Sequence, residues 1–293
     1  METILIATDF SPASHNAMVY GVELAKFLQA KLALLHVCEP ILSATDTVVV
    51  MTGEELKEQS NQLLHKEIQD LQGAETLNVE YFVEEGLPSE TIKWVAKRVK
   101  AKWIVTGMRG GGGIARKIFG STAISLSRKP CVPLIIVPEH ARFAPPKSIA
   151  LASDIGDETD VRIIDPLEEF GIKCNATMYV VRVIKKGMDE FLERLMRPTR
   201  VKWHCRELHP SFEFVSNNDV AHAMNEFVKE HNVDLIAMVA HEHNIFERLF
   251  VKSDIKEMMF RTHVPVVILP EKPAAQSNKV DDEVDDSVAQ GHA

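Results

Sequence analysis

The sequence predicts an α/β fold: two repeated, doubly wound, five-stranded parallel-sheet domains. Three observations carry this. Strand-length apolar runs alternate with amphipathic helix-length stretches, the alternation restarts after a Pro-Pro segment, and three strands of the first half recur in order in the second.

The elements follow in sequence. Ile4–Thr8 is an apolar run suited to a strand covered on both faces, and Asp9 ends it. In Asp9-Phe10-Ser11-Pro12, Ser11 can cap a helix and Pro12 can occupy its first position, ahead of the amphipathic stretch Ala13–Leu28. The alternation then gives strand Leu32–Val37, helix Glu54–Leu71, strand Val79–Val83, helix Ser89–Val99 and strand Trp103–Thr106. A glycine-rich loop leads to helix Ser121–Arg128 and strand Val132–Val137. Strands alternating with helices require right-handed crossovers, which place helices on both faces of a parallel sheet.

Pro138–Lys147, with Pro145-Pro146, reads as a linker. After it the strand Ile4–Asp9 recurs as Ile149–Asp154, Leu34–Val37 as Val180–Val183, and Val132–Pro138 as Val264–Pro270. Domain one is assigned to residues 1–143 and domain two to 148–270. The acidic remainder, 271–293, carries Asp281-Asp282-Glu283 and Asp285-Asp286 and is expected to be a disordered tail.

Composition narrows the function. The 293 residues are 45% hydrophobic and 26% charged, within the range of a globular protein with sizeable cores. A formal charge of −9 argues against nucleic acid and anionic membrane as partners, since both are bound through clustered Lys and Arg. No apolar run is long enough to span a bilayer, so a cytoplasmic location is expected. Cys38, Cys131, Cys174 and Cys205 are scattered without a C-x-x-C pair, and reduced, mostly buried thiols are expected.

The chemistry is concentrated in residues 106–122, between the fourth strand and the fourth helix. Ligands of open parallel sheets gather beyond the carboxyl ends of the strands, where this loop must lie. Its glycines let backbone N–H groups approach an anion, and Gly120-Ser121-Thr122 opens a helix whose first N–H groups face the same anion. Arg109 and Arg116 can add compensating charge. A Walker A loop is excluded by the lack of Gly-Lys-Ser/Thr, and Gly110-x-Gly112-x-x-Ala115 follows the fourth strand, not the first as a dinucleotide fingerprint requires.

The spacing Gly107, two residues, Gly110, nine residues, Gly120, Ser121, Thr122 resembles the nucleotide signature of the ATP-binding universal stress proteins. The resemblance extends over residues 1–138 and 148–270. It implies an adenine nucleotide alpha hydrolase-like fold in which Asp9 and the backbone of Val37 hold the adenosine. It also implies phosphate contacts from Gly107, Gly110, Gly120, Ser121 and Thr122, beside which Arg109 can add charge although the motif does not fix its position. The implied ligand is ATP or another adenine nucleotide, with Mg2+ able to accompany it but no protein ligand assigned to the ion. The implied role is a stress-response switch or binding module, at most a slow ATPase or a protein that phosphorylates itself at Ser121 or Thr122. No catalytic residue is assigned.

The second copy departs from the signature. At a shared offset of 132, Gly107 faces Val239, Gly110 faces Glu242 and Gly120 faces Lys252, with Ser121 kept as Ser253. Domain two is therefore expected not to bind ATP in this way, and to pair with domain one through its last strand or hold another ligand. An internal pseudo-dimer follows, and a homodimer of such units stays open, as do unidentified protein partners. His241-x-His243, with His204 and His209, offers a metal reading, but no second pair completes four ligands and no metal site is assigned.

The rival reading is a nucleotide-hydrolysing or adenylyl-transferring enzyme on the same kind of sheet. It would be expected to carry a phosphate fingerprint near the first strand, where Asp9-Phe10-Ser11-Pro12 supplies none. A nucleotide-free scaffold or lipid carrier would leave the glycine loop unexplained.

Overall fold

A computed structural model describes residues 1–38, 53–69, 71, 74–108, 121–152, 160–184, 199–240 and 264–271. Its first half runs β1 (Thr3–Thr8), α1 (Pro12–Leu28), β2 (Lys31–Cys38), α2 (Gly53–Gln69), β3 (Val79–Glu85), α3 (Pro88–Arg98), β4 (Ala101–Gly107), α4 (Ser121–Arg128) and β5 (Leu134–Val137). The second half runs β6 (Ser148–Ala152), a 3-10 turn at Val161–Ile164, α5 (Asp165–Cys174), β7 (Thr177–Ile184), α6 (Thr199–His204), β8 (Ser211–Ser216), α7 (Val220–Glu230), β9 (Leu235–Val239) and β10 (Val266–Leu269).

The ten strands form a single sheet in the order β3-β2-β1-β4-β5-β10-β9-β6-β7-β8. Every neighbouring pair is parallel except β5 and β10, which meet antiparallel with Ile136 opposite Val266 and Leu134 opposite Ile268. The α/β fold with a mostly parallel sheet is the one the alternating pattern called for. Residues at successive positions of β1 feed opposite cores: Ile4 and Ile6 pack under α1 and α2, whereas Leu5 and Ala7 pack under α3 and α4. The first of these cores runs continuously into the second half through Trp103, whose ring meets Phe170 of α5 edge-on at 5.6 Å between centroids.

The backbone repeats itself in detail. Ile4 pairs with Trp103 and Ile149 with Leu235. The Met108 N–H donates to the Val137 carbonyl at 2.9 Å, and the Ala240 N–H donates to the Leu269 carbonyl at 2.9 Å. Gln29 and Asn175 end α1 and α5 in left-handed conformation at φ 54 and 52, and Lys100 and Asn232 turn into β4 and β9 at φ 51 and 48.

The Pro-rich segment 138–147 is tied down along part of its length. Asn16 of α1 donates to the carbonyls of Pro138 at 2.8 Å and Ala141 at 3.1 Å, and Arg142 donates back to the Asn16 side-chain oxygen. Phe143 inserts between Tyr20 and Phe27. Pro133 lacks an N–H and lies outside β5, but its carbonyl accepts from Ile104 at 2.9 Å. All four cysteines are free thiols; Cys38, Cys174 and Cys205 are buried, and burial pushes the Cys205 thiol up to about 12. The tail from residue 272 lies outside the described residues.

Candidate functional site at the strand order reversal

In the first half the chain moves outward from β1 to β2 and β3, then crosses back to β4 on the other side of β1. The crossovers above β1 and β4 therefore diverge, opening a crevice at the carboxyl ends of these two strands. Asp9 follows β1 on one wall and Gly107 ends β4 on the other.

Sequence dictates the turn out of β1. Pro12 bars its predecessor from helical conformation, and Ser11 is extended at φ −75, ψ 159. The reversal must then be made one residue earlier, and Phe10 adopts φ 59. This left-handed conformation costs a bulky residue about 1–2 kcal/mol. The other non-glycine residues of this kind follow helices or 3-10 turns, whereas Phe10 stands ahead of one. The Phe10 N–H donates to Thr8 Oγ1 at 3.0 Å, and its ring lies 4.4 Å from that of His36, whose Nδ1 is 2.9 Å from the Thr8 carbonyl oxygen. Strain held in this way at a strand end is characteristic of binding sites.

Asp9 is exposed, and its Oδ1 accepts from the Ser11 N–H at 3.1 Å, an Asx turn that fixes the carboxylate at the mouth of the crevice. Below it lies a polar cluster absent from the sequence-based candidates. Thr8 Oγ1 reaches Ser14 Oγ at 3.0 Å and Glu67 Oε2 at 3.4 Å, and His15 Nδ1 lies 3.6 Å from Glu67 Oε1. Burial holds the Glu67 carboxyl above its ordinary range; His15 and Thr8 pull it down, and the negative charge of Asp9 adds to the rise. Glu67 was not legible as a site residue because it belongs to the polar helix α2, 59 positions from Thr8.

Gly107 has a steric reason to be a glycine. Its φ is not left-handed, and a Cβ there would stand 2.6 Å from the Ala13 carbonyl carbon and 2.9 Å from the Ser14 nitrogen. The missing side chain lets the first turn of α1 close down on the end of β4. Val37 is half-buried in β2, opposite Glu84 of β3. Ser121 and Thr122 form the first turn of α4, Ser121 exposed and Thr122 partly so. The leading N–H groups of that turn have no partners within the helix. The structure thus sets Asp9, Val37 and Gly107 at the carboxyl ends of three adjacent strands. Arg109, Gly110 and Gly120 lie outside the described residues, as do Glu242, Lys252, Ser253, His241 and His243. Val239, opposite Leu269, occupies the place that Gly107 holds opposite Val137.

Comparison with known proteins agrees with this fold. The model of the universal stress protein family matches residues 1–138. Universal stress protein YxiE of Bacillus subtilis (strain 168) is 29% identical over 143 residues, covering 46% of this chain and 97% of that protein. Stress response protein NhaX of the same organism is 25% identical over 165 residues, with the same two coverages. Over nearly the whole length, the chain shares its fold with a crystal structure of a universal stress protein from Archaeoglobus fulgidus DSM 4304. The TM-score is 0.69 at 17% identity, covering 92% of this chain and 96% of that one. Residues 1–138 therefore form a universal stress protein domain.

Proposed function

We propose that the first half of the chain binds ATP or another adenine nucleotide in the crevice between β1 and β4, and that the chain acts as a nucleotide-dependent stress-response switch. The observation that carries this reading is the strained turn at Phe10, which holds the Asp9 carboxylate at the mouth of the strand order reversal. A carboxylate there can accept from ribose hydroxyls or the adenine amino group. Val37 ends the adjoining strand beside it. The opening turn of α4, with the hydroxyls of Ser121 and Thr122, offers donors to phosphate. Gly110 and Gly120 belong to the same proposal by their spacing in the signature, and Arg109 by the charge it can add beside them. Mg2+ can accompany the triphosphate through its own oxygens.

The second half is read as a sister domain over 148–270 that no longer takes ATP. The antiparallel β5–β10 pairing supports reading the chain as a pseudo-dimer of its two halves. Binding, rather than turnover, is the proposed activity, because the sequence carries no Walker A motif and no phosphate fingerprint near the first strand.

Calorimetric titration with ATP tests the reading against Gly120→Lys, the residue found at the equivalent position 252. One nucleotide per chain is expected, lost in the variant while the unfolding transition is unchanged. Two equivalents, or uptake that survives the substitution, would overturn the assignment.

A further inference from the structure

We propose that Asp165, Glu168 and His204 form a binding site for a divalent transition-metal ion of the zinc class, built between α5 and α6 in the second half of the chain. One imidazole nitrogen and one oxygen from each carboxylate lie within 4.8 Å of one another, the one grouping of this kind among the described residues. His204 Nε2 stands 2.6 Å from Asp165 Oδ1 and 3.6 Å from Glu168 Oε2. Zinc bonds to nitrogen and oxygen of about 2.0–2.2 Å place neighbouring ligand atoms about 3–3.5 Å apart. The second separation is close to that range, and the first needs to open by under about 1 Å, a small rotation of the Asp165 side chain.

The three groups are presented by rigid elements. Asp165 and Glu168 are three apart on the first turn of α5 and project from one side of it. His204 is the last residue of α6, and its neighbours Val201 and Cys205 are fully buried, as are Ile164 and Leu167 beside the carboxylates. The ligand-bearing backbone is thereby locked to the core while the functional atoms stay accessible, Glu168 at 18%, His204 at 25% and Asp165 at 45% side-chain exposure. An ion can enter from solvent and keep water on its open side.

The chemistry suits a soft-to-borderline dication. With its proton on Nδ1, His204 offers the Nε2 lone pair, and the two carboxylates neutralise a 2+ charge. An imidazole in the set favours zinc over magnesium or calcium, which prefer oxygen alone.

Titration of the chelator-treated, nucleotide-free full chain with ZnCl2 tests the site. One saturating equivalent is expected, weakened at least tenfold by Glu168→Gln or His204→Asn and retained in the double variant His241→Ala/His243→Ala. A second reading uses the unsubstituted chain: Co2+ at this site should quench the emission of Trp203, which adjoins His204 and is exposed, and Trp203→Phe should remove that quenching. The proposal is overturned if the Glu168→Gln and His204→Asn chains titrate like the parent, or if Co2+ leaves Trp203 emission unchanged.

Discussion

At the end of β4 the chain has a glycine, and at the same backbone position at the end of β9 it has a valine. Around Gly107 the first turn of α1 comes down until there is no room for a Cβ, and this holds Ser11 and Asp9 over the crevice. A valine cannot sit against a helix placed in that way. The second half keeps the sheet, its register and its helix-ending turns, and has Val239 where the first half has the glycine on which its close approach depends. The residues that lead out of β6, 153–159, lie outside the described ones, and the described helical residues begin at Val161, capped by Asp160. Among the described residues, the halves differ at this strand end, with the topology held in common.

A large effect should come from exchanging these two residues. Gly107→Val puts a branched side chain into the backbone of Ala13 and Ser14, which cannot yield as a flexible side chain would, and a loss of about 3 kcal/mol or more is expected. Val239→Gly removes a buried side chain and frees the backbone, for about 2–3 kcal/mol. Urea unfolding of both variants measures the pair. The comparison breaks if Gly107→Val unfolds at the midpoint of the parent, because the close approach would then place no demand on the sequence.

Much of this was legible beforehand, and the exceptions share a cause. The alternation of β1 to β5 with α1 to α4 is written in local apolar patterns, and α4 spans the residues expected of it, Ser121–Arg128. Three strands of the second half, β6, β7 and β10, were found by matching, residue for residue, the pattern of the first, and β8 and β9 were not. The close approach of Gly107 to Ala13, 94 positions earlier, could not be read from a spacing signature. The role of Phe10 was implicit in Pro12, since forcing Ser11 to be extended leaves one residue to reverse the chain. Glu67, Asp165 and Glu168 were missed, and His204 was named only alongside His241, His243 and His209, because each is an ordinary charged or polar residue on a helix surface. Only the packing of one helix against another brings them together.

Those helix pairs show the same comparison with its charges reversed. In the first half α2 supplies the carboxylate, Glu67, and α1 the histidine, His15; in the second α6 supplies the histidine, His204, and α5 the carboxylates. The folded-state pKa of Glu67 is raised, so its favourable contribution is present below the unfolded value and is lost as pH rises through the folded one. At neutral pH its ionisation works against the fold. Relative to the parent, Glu67→Gln should therefore gain stability between pH 4 and pH 7, read as a growing difference in urea midpoint. A difference that shrinks over that range would show that the attraction of His15 outweighs burial.

The smallest effect concerns how the halves hold together. Lys102 of β4 binds Glu2 at 2.8 Å and also Glu169 of α5, joining the two halves beside the Trp103–Phe170 contact. The lysine is about one-third exposed, so solvent screens the network, and exposed pairs of this kind contribute about 0.2–1 kcal/mol. Lys102→Met keeps the apolar stem over Trp103 and removes the charge, and its cost should fall further as salt is raised from 0.05 to about 0.5 M, where the Debye length shortens to a few ångströms. The apolar seam is a different matter: Phe170→Ala removes a ring buried against Trp103 and should cost about 3–5 kcal/mol at any salt concentration. If the two variants proved equally costly, charge would hold the halves together as strongly as the shared core. If Lys102→Met is nearly silent, the continuous sheet and the buried aromatic contact hold them and the ion pairs only decorate the seam.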